Sequence, residues 1–92
     1  MLFMVIERFK NRDAEAVYRR YHEKGRMMHE GLQYVASWTE RNLNRCFQVM
    51  ECDDTALFQR WIDNWKDLVD FGIVPVLPRS EASVAALGEG KR

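Results

Sequence analysis

Few side chains in this sequence can hold a proton, a metal or a nucleophile, and their spacing removes most of the chemistry they would otherwise offer. His22 and His29 are seven residues apart. On a continuous helix they would share a face about 10 Å apart along the axis, too far for one metal ion, and Gly25 between them is a helix-ending residue. No His-x-x-x-His, no Cys-x-x-Cys and no carboxylate cluster of ligand spacing occurs, so the sequence implies neither a metal nor an organic cofactor. Cys46 and Cys52 stand on one stretch that reads as a strand, where six residues span roughly 20 Å, whereas a disulfide needs α-carbons within about 7 Å. Two reduced, partly buried thiols in a reducing cytoplasm are expected. Adjacent Asp53 and Asp54 read as a helix cap rather than a catalytic pair. Ser37, Ser80 and Ser83 have no activating neighbours, and Gly25, Gly31 and Gly72 are too isolated to form a phosphate loop.

One arrangement does suggest a site. In Arg45 to Cys52, strict alternation puts Phe47 and Val49 on one face and Cys46, Gln48, Met50 and Cys52 on the other. We expect the first pair to face the helices and the second set the open side of a sheet. Tyr34 and Trp38 on the preceding strand join either set, because one residue of register flips every side chain. The site hypothesis is a pocket between sheets lined by Trp38, Cys46, Gln48 and Met50, with Glu7, Glu40 or His22 at its rim. Its alternative is a plain dimer core holding a buried amide.

The elements that would position these residues are legible from periodicity. Met1 to Phe9, MLFMVIERF, is apolar on both faces and reads as a mid-sheet strand. Asp13 caps a helix whose face carries Ala14, Val17, Tyr18 and Tyr21 and which ends between Lys24 and Met28. Arg19, Arg20, Lys24 and Arg26 on this segment are diluted by Glu15, Glu23 and Glu30, which fits a solvated face. Leu32 to Arg41 and Arg45 to Cys52 form a hairpin, with Tyr34, Ala36 and Trp38 expected on one face. Leu57, Phe58, Trp61, Ile62, Trp65, Leu68 and Val69 carry the clearest helical stripe in the chain, read as core packing. Phe71 to Pro78 holds a last strand, in which Pro75 fits an edge strand or the point where the strand leaves the ladder. Residues 1–78 thus make one domain, and 79–92 a tail that is mobile or reaches a partner subunit.

The order strand, helix, strand, strand, helix, strand, with right-handed crossovers, gives an α+β ferredoxin-like fold: a four-stranded antiparallel sheet with two helices on one face. The other face would then be bare and apolar, which implies a homodimer with sheets face to face. Fourteen basic residues balance fourteen acidic ones, so no net field favours nucleic acid or an anionic membrane. No apolar run is long enough for a membrane span or a secretory signal, so the cytoplasm is the expected location.

The start MLFMVIERF, the central RCFQVME with Asp53 and Asp54, the pattern Trp61, Trp65, Asp67, Leu68 and the end DFGIVPV resemble a small bacterial family of about ninety residues known only as a domain of unknown function. More distantly the chain resembles the dimeric α/β-barrel superfamily. An acidic residue usually stands in the family pattern where this chain has Gly72. The resemblance implies the fold and a dimer but no activity and no functional residues. Two functions follow as expectations: a dimeric domain binding a small hydrophobic molecule or a protein partner through the open sheet face, or a small enzyme of the oxygenase, isomerase or lyase type working without cofactor.

Overall fold

A computed structural model describes residues 1–88 of the 92. Strand β1 (Leu2–Phe9) leads through a short 3-10 turn (Lys10–Arg12) into helix α1 (Ala14–Lys24). Strands β2 (Gln33–Thr39) and β3 (Arg45–Glu51) form the hairpin, followed by helix α2 (Ala56–Ile62), strand β4 (Val69–Val76) and a further helix, α3 (Arg79–Leu87). The sheet is antiparallel throughout with strand order β2-β3-β1-β4. This is the ferredoxin-like βαββαβ arrangement with one helix appended.

β1 lies between β3 and β4, so both of its edges are paired, in keeping with a nearly continuous apolar run. Along it Phe3, Val5, Glu7 and Phe9 are buried, while Leu2, Met4 and Ile6 are half-covered on the opposite face. Helices cover the first set. Phe58 of α2 meets Phe3 edge-on with centroids 5.1 Å apart, Tyr18 of α1 meets Phe9 at 5.8 Å, and Trp61 of α2 meets Phe71 of β4 at 5.2 Å. Such edge-to-face pairs add directional preference to burial. Pro75 sits on β4, the edge strand, where its missing N–H interrupts no second ladder.

Three expectations are corrected. Cys46, Gln48 and Met50 pair with Glu7, Val5 and Phe3, so they point toward the helices and are buried, while Phe47 and Val49 face the open side. A polar Gln48 goes inward because Glu7 beside it supplies a partner. β2 carries a bulge between Tyr34 and Ala36. Tyr34 therefore pairs with Met50 on the helix side, whereas Ala36 and Trp38 pair with Val49 and Phe47 on the open side. The extra residue breaks the period of two that would have kept Tyr34 and Trp38 together.

The long helical stripe of Leu57 to Val69 is the third. α2 ends at Ile62 and the chain continues in tight turns, with Asn64 N–H donating to Trp61 O (3.0 Å), Trp65 N–H to Ile62 O (2.9 Å) and Leu68 N–H to Trp65 O (2.9 Å). Asp63 and Asn64 are weak helix formers, and the Asn64 amide donates to Met27 O at 3.2 Å. The turns keep Trp61 and Trp65 on one side, so the apolar periodicity survives the end of the helix. Asp13 does cap α1, its carboxylate accepting from Ala16 N–H at 3.1 Å. Of the tail, Arg79–Leu87 is helical and buries no residue, and residues 89–92 lie outside those described.

Candidate functional site

Gly25 ends α1 with φ +69°, a left-handed conformation open to glycine. The chain then turns back over the sheet. The carbonyl of Arg26 accepts both indole N–H groups, from Trp61 at 2.9 Å and Trp65 at 3.0 Å. Two tryptophans thereby fix one peptide of a loop. Beside that loop, residues of α1, α2 and the sheet line a half-open cavity of about 140 Å³.

The sheet supplies the polar part of the cavity. Glu7 and Gln48 line it and are 7% and 6% exposed. The Gln48 amide Nε2 donates to a Glu7 carboxylate oxygen, while the amide oxygen Oε1 is buried without a partner. Phe9, Val17, Trp61 and Trp65 make apolar walls, and Tyr21 and Thr39, both exposed, mark the mouth. The hydroxyls of Tyr18 and Thr39 are hydrogen-bonded to each other.

Arg26 also lines the cavity. Its guanidinium lies 3.7 Å from the Tyr34 ring centroid and 5.2 Å from that of Tyr21, and it donates to Tyr21 Oη at 3.4 Å. Among the described residues no carboxylate lies within ion-pair distance of it.

Burial raises Glu7 from its ordinary value to about 7, against the opposing influence of the Gln48 hydrogen bond and the Arg26 charge. A carboxyl in that range can both give and take a proton at neutral pH. Burial, with Glu7 adding to it, pushes the Cys46 thiol up to about 11. The thiol stays protonated and is a wall rather than a nucleophile.

Of the sequence-derived candidates, Glu7, Cys46 and Gln48 come together at the cavity. Met50 is fully buried one row further along the same face, against Tyr34. Trp38 is on the opposite face, 60% exposed. Glu40 is held by Arg45 at 3.1 and 2.9 Å, which lowers its carboxyl and leaves it a fixed anion outside the cavity. His22 is exposed in the last turn of α1. Among the described residues no group of three His, Cys, Asp or Glu side chains is placed to hold a metal, and no helix is long and apolar enough to cross a membrane.

Sequence reasoning missed Arg26, Tyr18, Tyr21 and Thr39, and assigned Trp61 and Trp65 to core alone. The one signal for Arg26 was its place directly after Gly25, where a turn carries it off the solvated helix face.

The family model described as a domain of unknown function (DUF3303) matches residues 1–90. The chain belongs to this family. Among curated proteins and among solved structures, nothing matches it.

Proposed function

We propose that the protein binds a small, largely apolar molecule in the cavity between sheet and helices, recognising it through the Glu7–Gln48 pair. The observation that carries this reading is the buried, unpartnered Gln48 Oε1 at a cavity of about 140 Å³. A buried acceptor without a donor costs on the order of 1–3 kcal/mol, and a ligand that donates to it recovers that cost. A closed apolar cavity of roughly 150 Å³ accommodates benzene, so this half-open one has room for a ring. The test is an NMR titration of isotopically labelled protein with single-ring compounds. Shifts concentrated on Val17, Gln48, Trp61 and Trp65, and abolished in a cavity-filling Val17→Phe variant, support the reading. An unresponsive cavity, or shifts centred on Trp38 and Val49, would sink it.

A second reading, a cofactor-independent enzyme, is favoured by one feature: a buried carboxyl whose proton equilibrates near neutral pH. Of the oxygenase, isomerase and lyase types, the latter two use such a group directly, to move a proton on a bound substrate. A turnover rate insensitive to Glu7→Gln would exclude it.

The open sheet face supports a homodimer in the same proposal. Trp38 and Val74 are 60% and 46% exposed there, beside half-covered Met4, Ile6, Phe47 and Val49. Sedimentation equilibrium checks this, with a monomer at micromolar concentration as the contrary result. A reducing location such as the cytoplasm suits the two free, buried thiols.

A further inference from the structure

Arg26 is the one cation lining the cavity, and it is partly withdrawn from water between two tyrosine rings without a carboxylate partner among the described residues. Stacked guanidinium groups keep their in-plane N–H donors free for a planar anion. Gln48 Oε1, of the same lining, lacks a donor. The rest of the lining is largely aromatic or apolar, with Trp61, Trp65, Tyr21, Phe9 and Val17.

We infer that the cavity takes a compact aromatic carboxylic acid bearing a hydroxyl or amine, its carboxylate on the Arg26 guanidinium, its ring between the aromatic walls and its donor on Gln48 Oε1. This inference rests on the binding reading above and specifies its ligand. The three features are independent: the volume holds a ring, the unpaired cation calls for an anion, and the orphaned amide oxygen calls for a donor.

The Glu7 carboxyl constrains the ligand further. An anion against Gln48 would oppose ionised Glu7 beside it, so the carboxylate belongs on the Arg26 guanidinium and the neutral donor on Gln48. Reversing the ligand would bury two negative charges together.

The experiment is isothermal titration calorimetry with 4-hydroxybenzoate, benzoate and phenol against the wild-type protein and the variants Arg26→Gln and Arg26→Lys. Both variants keep the backbone carbonyl that accepts the two indoles, and an NMR spectrum of each reports whether it is folded. A charge-assisted hydrogen bond predicts that Arg26→Gln weakens 4-hydroxybenzoate by roughly tenfold or more, with partial recovery in Arg26→Lys and phenol unchanged. Benzoate, which lacks the donor, should bind less tightly than 4-hydroxybenzoate to the wild type. If phenol binds and 4-hydroxybenzoate is no tighter, or is indifferent to Arg26→Gln, the acid assignment is overturned while the cavity reading stands. If none of the three binds and the cavity residues do not respond by NMR, both readings fall together.

Discussion

The side chains of Glu7 on β1 and Gln48 on β3 are diagonal neighbours on the helix-facing side of the sheet, joined by a hydrogen bond from the amide to the carboxylate. Val5 stands directly opposite Gln48, and Cys46 directly opposite Glu7. Two polar groups thus occupy one diagonal of an otherwise apolar patch. A carboxylate there is stabilised by the amide and by the Arg26 charge, yet burial still outweighs both.

Because the folded carboxyl titrates near 7 and the unfolded one near 4.5, the folded chain holds a proton between those values that the unfolded chain has released. The contribution is fully present below about 4.5, is lost as pH rises through about 7 and is level above it. The shift corresponds to stability on the order of 3 kcal/mol. Glu7→Gln, neutral at every pH and still able to pair with Gln48, should therefore gain about 1–3 kcal/mol over wild type at pH 8 and little at pH 5. Urea unfolding at both values measures it. An equal wild-type-to-variant difference at pH 5 and pH 8 would show that Glu7 is not buried as an acid.

Arg20 of α1 and Asp67, in the turns before β4, form a bidentate pair at 2.7 and 2.7 Å, and Arg20 also donates to Asn64 O at 3.1 Å. The pair ties α1 to the segment carrying Trp65, whose ring lies 5.7 Å from the Arg20 guanidinium. Arg20 holds the Asp67 carboxyl down at about 2. A depressed carboxyl stabilises above its unfolded value of 3.8 and loses that effect as pH falls through about 2. Asp67 is largely exposed, so solvent screening limits the loss in Arg20→Ala to about 1 kcal/mol at pH 7. That difference should shrink in unfolding curves taken below pH 3, and a gap independent of pH would assign the effect to Asn64 and packing instead.

The parts of this architecture that sequence displays are those where one physical demand dominates. A run apolar on both faces has to be central, and β1 is; proline with no donor fits an edge strand or the point where a strand leaves the ladder, and Pro75 is on the edge strand. The faces of β3 were not legible because Phe47 and Val49 are as apolar as the buried set, and a buried Gln48 makes sense only once Glu7 is seen beside it. No residue at Val35 announces a bulge, so the divergence of Tyr34 and Trp38 had no sequence signal. Arg26 belonged to a basic stretch by composition and to the cavity only by the turn at Gly25.

Gly31 has φ +99°, and a Cβ there would meet Leu57 Cδ1 at 2.7 Å. The backbone disfavours a side chain, and the end of the Leu57 side chain would have to shift to admit one. Gly31→Ala should cost roughly 1–3 kcal/mol from the strained backbone alone, with the Leu57 contact adding to it. Thermal unfolding measures the loss; a variant as stable as wild type would mean that the Gly31 turn and α2 do not pack as described.

Cys46 tests how closed the cavity is. Its thiol is buried and pushed up to about 11, so at pH 8 only a minute fraction is thiolate. Cys52 is also buried, with its thiol raised chiefly by desolvation, so a Cys52→Ser background is needed to follow Cys46 alone. In that background, alkylation by iodoacetamide should be at least roughly a hundredfold slower than for the same chain in denaturant, and its rate should rise with urea in parallel with unfolding. A ligand seated against Cys46 would slow the native reaction further, whereas one bound on the open face would leave it unchanged. Rapid alkylation of the native protein would mean that the cavity admits a polar reagent directly, and the apolar ligand assigned to it would have to give way to a hydrated one.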